Sequence, residues 1–172
     1  MASVVTLTEA KKYLQVDYDG QDTVIQIILN GSESFIESYL GVRIYDDEES
    51  ASVEETLDGG MENLYPTSLP VNGVTSIVDA DDDDEEFTSD YKFNRSCIFK
   101  SSEAKWSSGR LRWKVTYNGG YSVTTLPAGI KDAIMVMAYV KYHEDRSMDW
   151  GALMPLGLKN QLQPFRLSRS IG

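Results

Sequence analysis

The sequence has only one cysteine, Cys97, and only one histidine, His143. One cysteine excludes an internal disulfide bond and any zinc site built from several cysteines, so we interpret Cys97 as a buried, small apolar residue. No run of about 18 apolar residues occurs, and no membrane-spanning segment is predicted. The first residues also lack the basic stretch and apolar core of a secretory signal, so we expect the chain to be made and kept in a cytoplasm.

Basic side chains are scarce in the first half of the chain. Residues 1–90 carry 22 acidic and 3 basic side chains, whereas residues 91–172 carry 5 acidic and 13 basic ones. The formal net charge of −11 argues against binding to a DNA backbone, which needs clustered Lys and Arg. The uneven distribution is open to two interpretations. Either the oppositely charged halves of neighbouring copies attract each other head to tail, or the two halves neutralise each other within one chain.

Helical periodicity predicts three main helices. The first is short and is expected to begin at Thr8, whose side chain would cap its first turn. The second begins at Asp22 and ends at Gly41, and the third follows Pro127. The buried stripes of the two longer helices are predicted to contain Ile25, Ile28, Leu29, Ser32, Ile36, Tyr39 and Leu40 in the second, and Ile130, Ala133, Ile134, Met137 and Val140 in the third.

Three apolar residues of the second helix, Val24, Ile27 and Phe35, fall outside its buried stripe. A helix that is apolar on more than one face is either enclosed within its own chain or shared with a neighbouring copy. These three side chains are therefore candidates for a contact between copies.

Between Arg43 and about Thr125 the apolar period changes from about 3.6 residues to about 2 residues. Short alternating runs separated by Gly, Asn, Asp and Pro predict an antiparallel meander with one dry face and one wet face. In its last strand, the side chains expected to face the core are Leu111, Trp113, Val115 and Tyr117. The segment after the last helix contains Pro164, which interrupts regular structure, and it predicts an extended arm.

The sequence thus predicts an α+β protein, a small bundle of three main helices with an inserted antiparallel β region and an extended C-terminal arm. A chain of 172 residues suits one domain. Its expected parts are N-terminal helices at 1–42, the β insertion at 43–125, the C-terminal helix at 126–146 and the arm at 147–172.

No segment matches a catalytic or metal-binding pattern. The stretch at Gly119 and Gly120 has neither glycine pattern of a nucleotide-binding loop, so these glycines are interpreted as turn residues. The acidic run from Asp79 to Phe87 lacks the glycine of a calcium loop and is interpreted as a solvated hairpin tip, as is the run from Asp46 to Glu49. His143 has no nucleophile in a recognisable motif and lies where a helix dipole accommodates it. We therefore predict no catalytic residue, no metal site and no cofactor.

Three aromatic residues, Trp106, Trp150 and Phe165, lie beside basic residues and are expected to be exposed. Because they are scattered through an acidic protein, contact with other proteins is favoured over stacking on single-stranded nucleic acid.

The order of these parts resembles a known family. The segments "VTLTEAKKYLQVD", "DTVIQIILNGSESFIESYLGVRI", "ETLDGG", "LYPTSLPVNGVTSIV", "WKVTYNGGYSVTTLPAGIKDAIMVMAYVKYHEDR" and "QLQPFRLSR" together resemble the head–tail connector (adaptor) proteins of long-tailed bacteriophages. The resemblance implies a helical bundle and a ring of about a dozen copies under the portal of the capsid, without catalysis. Such a ring extends the DNA channel, lets DNA pass without specific binding and receives a stopper or tail-side component. The chain would be synthesised in the host cytoplasm and end in the virion, with no membrane partner.

The resemblance also implies where the partners bind. In that family C-terminal segments grip the portal, and the matching segment here offers an apolar pair for pockets and two arginines for carboxylates, namely Phe165, Leu167, Arg166 and Arg169. Contact between copies would involve Val24, Ile27 and Phe35. An acidic bore would repel the DNA backbone. The competing candidates for that bore are Glu33 and Glu37 on the second helix, and Asp81, Asp82, Asp83 and Asp84 of the hairpin tip.

Two other functions remain open. A head–tail stopper or tail-completion protein would share the ring but not the portal contact of the C-terminal segment. A small cytoplasmic hydrolase would use His143 together with Asp145.

Overall fold

The structure, a computed structural model, describes residues 4–45, 52–82, 85–87, 90–102, 104–144 and 149–166. The chain divides into two compact units. We call them the helical unit, which contains the described residues of 1–40 and 123–166, and the β unit, which contains those of 41–122. The mixed α and β composition is as predicted. No helix among the described residues is long and apolar enough to cross a bilayer.

The described residues form five α-helices, which are α1 (Leu7–Leu14), α2 (Asp22–Leu40), α3 (Ala128–His143), α4 (Trp150–Leu153) and α5 (Leu156–Leu162). Short 3-10 helices precede α2 and follow α5, at Asp19–Gln21 and Gln163–Phe165. The prediction of three main helices is not confirmed, because two more helices follow α3. An extended arm is wrong for residues 150–165, which are largely helical. Leu158 and Leu162 lie one turn apart in α5 and bury their side chains, which favours helix over an extended chain.

The N-terminus of α1 is capped by Thr6 rather than by Thr8. The Thr6 hydroxyl accepts the Glu9 N–H at 3.2 Å, and the Glu9 carboxylate accepts the Thr6 N–H at 2.9 Å. This reciprocal pair is a capping box, which satisfies two N–H groups at once, and Thr8 therefore lies inside the helix. At the end of α2, Gly41 adopts a φ of 68°, as a helix-terminating glycine requires, so the predicted stop is confirmed.

The core of the helical unit follows the predicted stripes closely. The buried residues of α2 are Ile25, Ile28, Leu29, Ser32, Ile36 and Leu40. Those of α3 are Ile130, Ala133, Ile134, Met137, Ala138 and Lys141. Tyr39 and Val140, which were predicted in these stripes, are half-buried. The helical spacing of apolar residues therefore correctly predicted the core-facing sides of α2 and α3.

The described residues of the β unit form three sheets. Its strands in the described residues are β1 (Ile44–Tyr45), β2 (Ser52–Leu57), β3 (Asn63–Leu64), β4 (Val71–Asp79), β5 (Glu85–Glu86), β6 (Tyr91–Phe93), β7 (Ile98–Lys100), β8 (Trp113–Gly119) and β9 (Tyr121–Ser122). A four-stranded antiparallel sheet has the order β2-β8-β4-β5, and a three-stranded antiparallel sheet has the order β3-β7-β6. The third sheet pairs β1 with β9 in parallel.

The predicted meander is wrong, because most neighbouring strands are distant in sequence. β8 lies between β2 and β4, so a strand from the second half of the chain joins two strands from the first half. The hairpin predicted at the acidic run is confirmed, since Val78 pairs with Glu86 and Asp79 with Glu85. Strand order depends on which side chains pack together across the sheet, and that information is not contained in the period of any single strand.

The core of the β unit is aromatic. Trp113, Val115 and Tyr117 are buried on one face of β8, as predicted, whereas Leu111 is 55% exposed. Trp106, predicted to be exposed, is fully buried, with its ring centroid 4.8 Å from that of Trp113. Phe87 packs against both tryptophan rings at centroid distances of 5.9 and 5.8 Å. The local sequence around Trp106 is polar, so its burial is decided by partners far away in the chain.

A hydrogen-bonded tyrosine ties the four-stranded sheet to the loop before β4. The Tyr117 hydroxyl donates to the Glu55 carboxylate at 2.6 Å and accepts the Ser68 N–H at 2.9 Å. Glu55 also accepts the N–H and the hydroxyl of Thr67, at 2.8 and 2.7 Å. Burial, and next the hydrogen bond to Glu55, raise the pKa of Tyr117 to about 12. The hydroxyl therefore stays protonated and serves as a structural donor.

Candidate functional site

The outer face of α2 carries the residues predicted at the contact between copies. Ile27 lies on the side of α2 opposite the buried stripe and is 66% exposed. Val24 and Phe35 flank this side and are half-buried. The neighbouring outward residues of α2 are small and polar, namely Thr23, Asn30 and Ser34. A large exposed isoleucine surrounded by small side chains is a protrusion that another protein surface can cover.

The first two of the predicted portal-binding residues, Phe165 and Arg166, contact the helical unit. The Arg166 guanidinium lies over the Tyr39 ring at 5.3 Å, and Tyr39 stacks on Phe35 with a centroid distance of 6.4 Å. The structure thus joins Arg166 of the C-terminal segment to Phe35 of α2, two residues that were predicted to serve different contacts. Leu167 and Arg169 lie outside the described residues.

Phe165 is half-buried against the start of α3. A Cβ atom built on Gly129 would lie 3.1 Å from Phe165 Cε2, so the missing side chain of Gly129 makes room for the phenyl ring. Gln161 of α5 donates to Asp132 of α3 at 3.2 Å. These contacts hold the end of the described chain on the helical unit. The aromatic residue predicted to be exposed is therefore partly used in packing, and the Trp150 side chain lies outside the described part of the chain.

The candidate channel carboxylates belong to both units. Glu33 and Glu37 are half-buried on α2, and Glu33 accepts the Val4 N–H at 3.3 Å. Asp81 and Asp82 are exposed in the turn of the β4–β5 hairpin. Asp83 and Asp84, like the second acidic tip at residues 46–49, lie outside the described residues.

The first residue of the acidic run is not solvated. Asp79 is buried and accepts three hydrogen bonds from Arg112, at 2.7, 3.0 and 2.7 Å. These hydrogen bonds hold the pKa of Asp79 below its usual value, and Asp79 in turn raises the pKa of Arg112. Asp81 is 3.8 Å from the same guanidinium and is mostly exposed. The interpretation as a solvated tip is thus wrong for Asp79, because its charge is neutralised within the β unit.

Several charged residues from the two oppositely charged halves of the sequence form ion pairs within one chain. Arg112 and Lys114, from the second half, contact Asp79 and Glu54, from the first half, with Lys114 at 3.2 Å from Glu54. In the helical unit Lys131 of α3 contacts Glu9 of α1 at 2.9 Å. Of the two interpretations of the charge distribution, these ion pairs support neutralisation within the chain. Charges that are paired within the chain are not available to attract a neighbouring copy, so the head-to-tail interpretation is weakened.

An aromatic surface on the helical unit was not predicted. It comprises Tyr13 of α1 with Tyr139, Tyr142 and His143 of α3, and we call it the tyrosine surface. Tyr13 meets Tyr139 edge-on at a centroid distance of 6.2 Å, Tyr139 lies 4.3 Å from His143, and His143 lies 5.0 Å from Tyr142. Tyr13 and Tyr139 are 40% and 45% exposed. The signal in the sequence was the spacing of four residues between Tyr139 and His143, which places both on one side of a helix.

The remaining candidates from the sequence have structural explanations. His143 is exposed at the end of α3 and contacts the Tyr139 ring in a tilted arrangement and the Tyr142 ring edge-on, while Asp145 lies outside the described residues. Cys97 is buried as predicted, and burial raises the pKa of its thiol, which opposes a nucleophilic role. Gly120 adopts a φ of 98° in the turn between β8 and β9, whereas a Cβ on Gly119 would lie 2.3 Å from the Ser68 carbonyl oxygen. One glycine turns the chain, and the other allows close packing.

Comparisons with known proteins place this fold among those of phage-like particles. A chain titled as the neck of an empty gene transfer agent (GTA) particle computed with C6 symmetry matches with a TM-score of 0.66 and 17% identity, over 100% of this chain and 95% of that one. A chain from the virion of a native GTA particle matches with a TM-score of 0.66 and 17% identity, over 98% of this chain and 92% of that one. A chain from the neck of a native GTA particle computed with C12 symmetry matches with a TM-score of 0.60 and 17% identity, over 100% and 95%.

No curated protein matches this sequence. The profile of the head completion protein family matches residues 3–151, which is most of the chain. That region includes α1, α2, the β unit and α3. The resemblance to head–tail connector proteins is thereby confirmed, and the chain belongs to the head completion protein family.

Proposed function

We propose that this chain is a structural protein of a phage-type head–tail junction, in which repeated copies form a ring that docks under the portal and extends the DNA channel toward the tail. The match of the head completion protein family to residues 3–151 carries this proposal. The similarity in fold to chains of GTA particle necks computed with C6 and C12 symmetry supports it, because such symmetry repeats each chain around an axis.

Contact between copies uses the outer face of α2. Ile27 is 66% exposed there, and Val24 and Phe35 flank it. Complete burial of one isoleucine side chain is worth about 1.5–3 kcal/mol, so one such residue per copy contributes substantially when a closed ring repeats the contact. We propose that the two units act together as one connector domain.

Docking to the portal uses the segment from Phe165 to Arg169. Phe165 and Arg166 pack on α3 and α2, which fixes the point from which Leu167 and Arg169 continue. An arginine presents a planar set of donors to a carboxylate, and a leucine fills an apolar pocket. The described start of the segment, Phe165 and Arg166, is thus attached to the helical unit.

The channel function needs carboxylates rather than a DNA-binding surface. Glu33 and Glu37 of the helical unit, or Asp81 and Asp82 of the hairpin turn, line the bore and repel the phosphate backbone, so DNA passes without specific binding. Asp79 does not contribute, because Arg112 neutralises it. We propose no catalytic step and no cofactor. The chain is made in the host cytoplasm and resides at the head–tail junction of the virion.

Native mass spectrometry of the purified chain, alone and with the portal protein of the same particle, tests this function. The expected result is a complex holding about a dozen copies of the chain on the portal. A monomer under every salt condition, with no complex on the portal, would contradict the ring.

A substitution separates portal docking from ring formation. Truncation from residue 161 would remove Leu162, which is fully buried, and would damage the helical unit itself. The double substitution Leu167→Ser with Arg169→Ser avoids this problem and should abolish the complex with the portal. The matched control, Ser168→Ala with Ser170→Ala, should retain it. Rings that bind the portal equally well in both variants would favour a head–tail stopper or tail-completion protein instead.

A further inference from the structure

The tyrosine surface has the character of an interface centre. Tyr13, Tyr139 and His143 form a continuous row of rings across α1 and α3, and all three side chains are exposed. Tyrosine is enriched at the centres of protein interfaces, because its ring supplies a large contact area at little conformational cost. The helical unit gains little stability from rings that remain in water, so a partner is the better explanation of this cluster.

The helical unit has a second exposed surface, on a different helix, with a single apolar residue at its centre. We call it the Ile27 face, defined by Thr23, Ile27, Asn30 and Ser34 of α2. It differs from the tyrosine surface in shape, since one isoleucine stands among small polar side chains. A ring built by rotation requires two different surfaces on each copy, one for each neighbour. The helical unit offers two such surfaces.

We propose that the tyrosine surface of one copy receives the Ile27 face of the next copy around the ring. This inference rests on the ring of the proposed function and names the partner of its contact surface. The isoleucine fits against the tyrosine rings, as aliphatic side chains do at apolar interface centres. The small residues around Ile27 allow the two surfaces to approach closely.

Charge favours the same pairing. α2 carries no basic residue, and its carboxylates are Glu33, Glu37 and Asp22, of which Asp22 pairs with Lys11 of the same chain at 2.7 Å. Beside the tyrosine surface Lys12 of α1 is exposed, whereas Lys11 pairs with Asp19 and Asp22 of its own chain. An acidic helix against a surface bordered by lysine is attractive, whereas two copies of α2 facing each other would repel. Opposite charge thus selects a second copy in head-to-tail orientation.

Site-specific crosslinking of the chain assembled on its portal tests the pairing. The double variant Ile27→Cys with Tyr139→Cys, treated with a short bis-maleimide, should yield a ladder of covalent multimers, because each copy is linked to both neighbours. Either single variant should yield no multimers, because each contact then holds only one introduced thiol and the native Cys97 is buried. The matched control, Ile27→Cys with Leu156→Cys, should also yield no ladder, because Leu156 is 73% exposed but belongs to neither surface.

The outcomes separate this inference from the proposed function. A ring on the portal without a ladder would overturn the pairing and leave the ring intact. If no variant forms a ring on the portal, both the pairing and the proposed function are overturned. Dimers from a single variant would indicate a symmetric contact and also overturn the pairing. As a second measurement, Tyr139→Glu should weaken association of copies at least about tenfold while Leu156→Glu leaves it unchanged. Equal association of both variants would contradict the role of Tyr139.

Discussion

Alkaline pH should destabilise the β unit through one hydroxyl group, that of Tyr117. Burial and the hydrogen bond to Glu55 raise its pKa from 10.0 to about 12. Between these two values the unfolded chain loses this proton and the folded chain keeps it, so the free energy of unfolding falls as the pH rises. The full shift corresponds to about 2.7 kcal/mol, of which about 1.4 kcal/mol is lost by pH 11.

Urea unfolding of the wild type and of Tyr117→Phe at pH 8 and pH 11 measures this effect. At pH 8 the variant should be less stable by about 1–3 kcal/mol, because the Ser68 N–H loses its acceptor. Between pH 8 and pH 11 the wild type should lose about 1.4 kcal/mol more than the variant, and the comparison cancels the other ionisable groups. Equal losses in the two proteins would refute a tyrosine hydroxyl held protonated by its surroundings.

Two further substitutions probe the β unit. Leu111 has a φ of 50° and is exposed, so Leu111→Gly relieves about 1–2 kcal/mol of backbone strain and costs about 0.5–1 kcal/mol of added unfolded-state entropy. Calorimetry should find it neutral or slightly more stable than the wild type, and a clear loss of stability would contradict the strain. The pKa of Asp79 is depressed, so its contribution to stability is present above the unfolded value of about 3.9 and is lost as the pH falls through the folded value. Acid titration of stability should therefore be shallower for Asp79→Asn than for the wild type, and parallel curves would argue against the ion pair.

The periodicity of apolar residues predicted which side chains of α2, α3 and β8 are buried. Ile25 and Leu29 on α2, and Ile130 and Met137 on α3, are buried because a period of about 3.6 residues places them on one side of a helix. The alternation in β8 likewise separated buried from outward side chains, and Leu111 alone among its predicted core residues is exposed because the chain turns there with a positive φ.

Features that depend on distant partners were not predictable in this way. Trp106 is buried because Phe87 and Trp113 close over it, and its own neighbours in sequence are polar. The position of β8 between β2 and β4 also follows from packing of a shared core. By contrast, the helix at Leu158 and Leu162 had a local signal, a spacing of four residues between buried leucines, which Pro164 obscured.

The proposed portal-binding residues depend on a partner surface, and in the sequence only the resemblance to a family points to them. A different reason applies to the tyrosine surface, which was not predicted. Tyr13 and Tyr139 are separated in sequence by the whole β unit, so no window of sequence contains both, and only the packing of α1 on α3 brings their rings together.

The central position of β8 also sets the order in which the chain can fold as it leaves the ribosome. Until residues 112–119 have been synthesised, β2 has no strand to pair with, β4 has only the short β5, and Glu54 and Asp79 lack their cationic partners Lys114 and Arg112. During this interval most charged side chains of the part already synthesised are carboxylates, with 22 acidic and 3 basic side chains in residues 1–90. Mutual repulsion keeps such a segment expanded and keeps neighbouring nascent chains apart, at the stage when unpaired strands are most prone to aggregate. An acidic first half thus protects a sheet whose central strand arrives last.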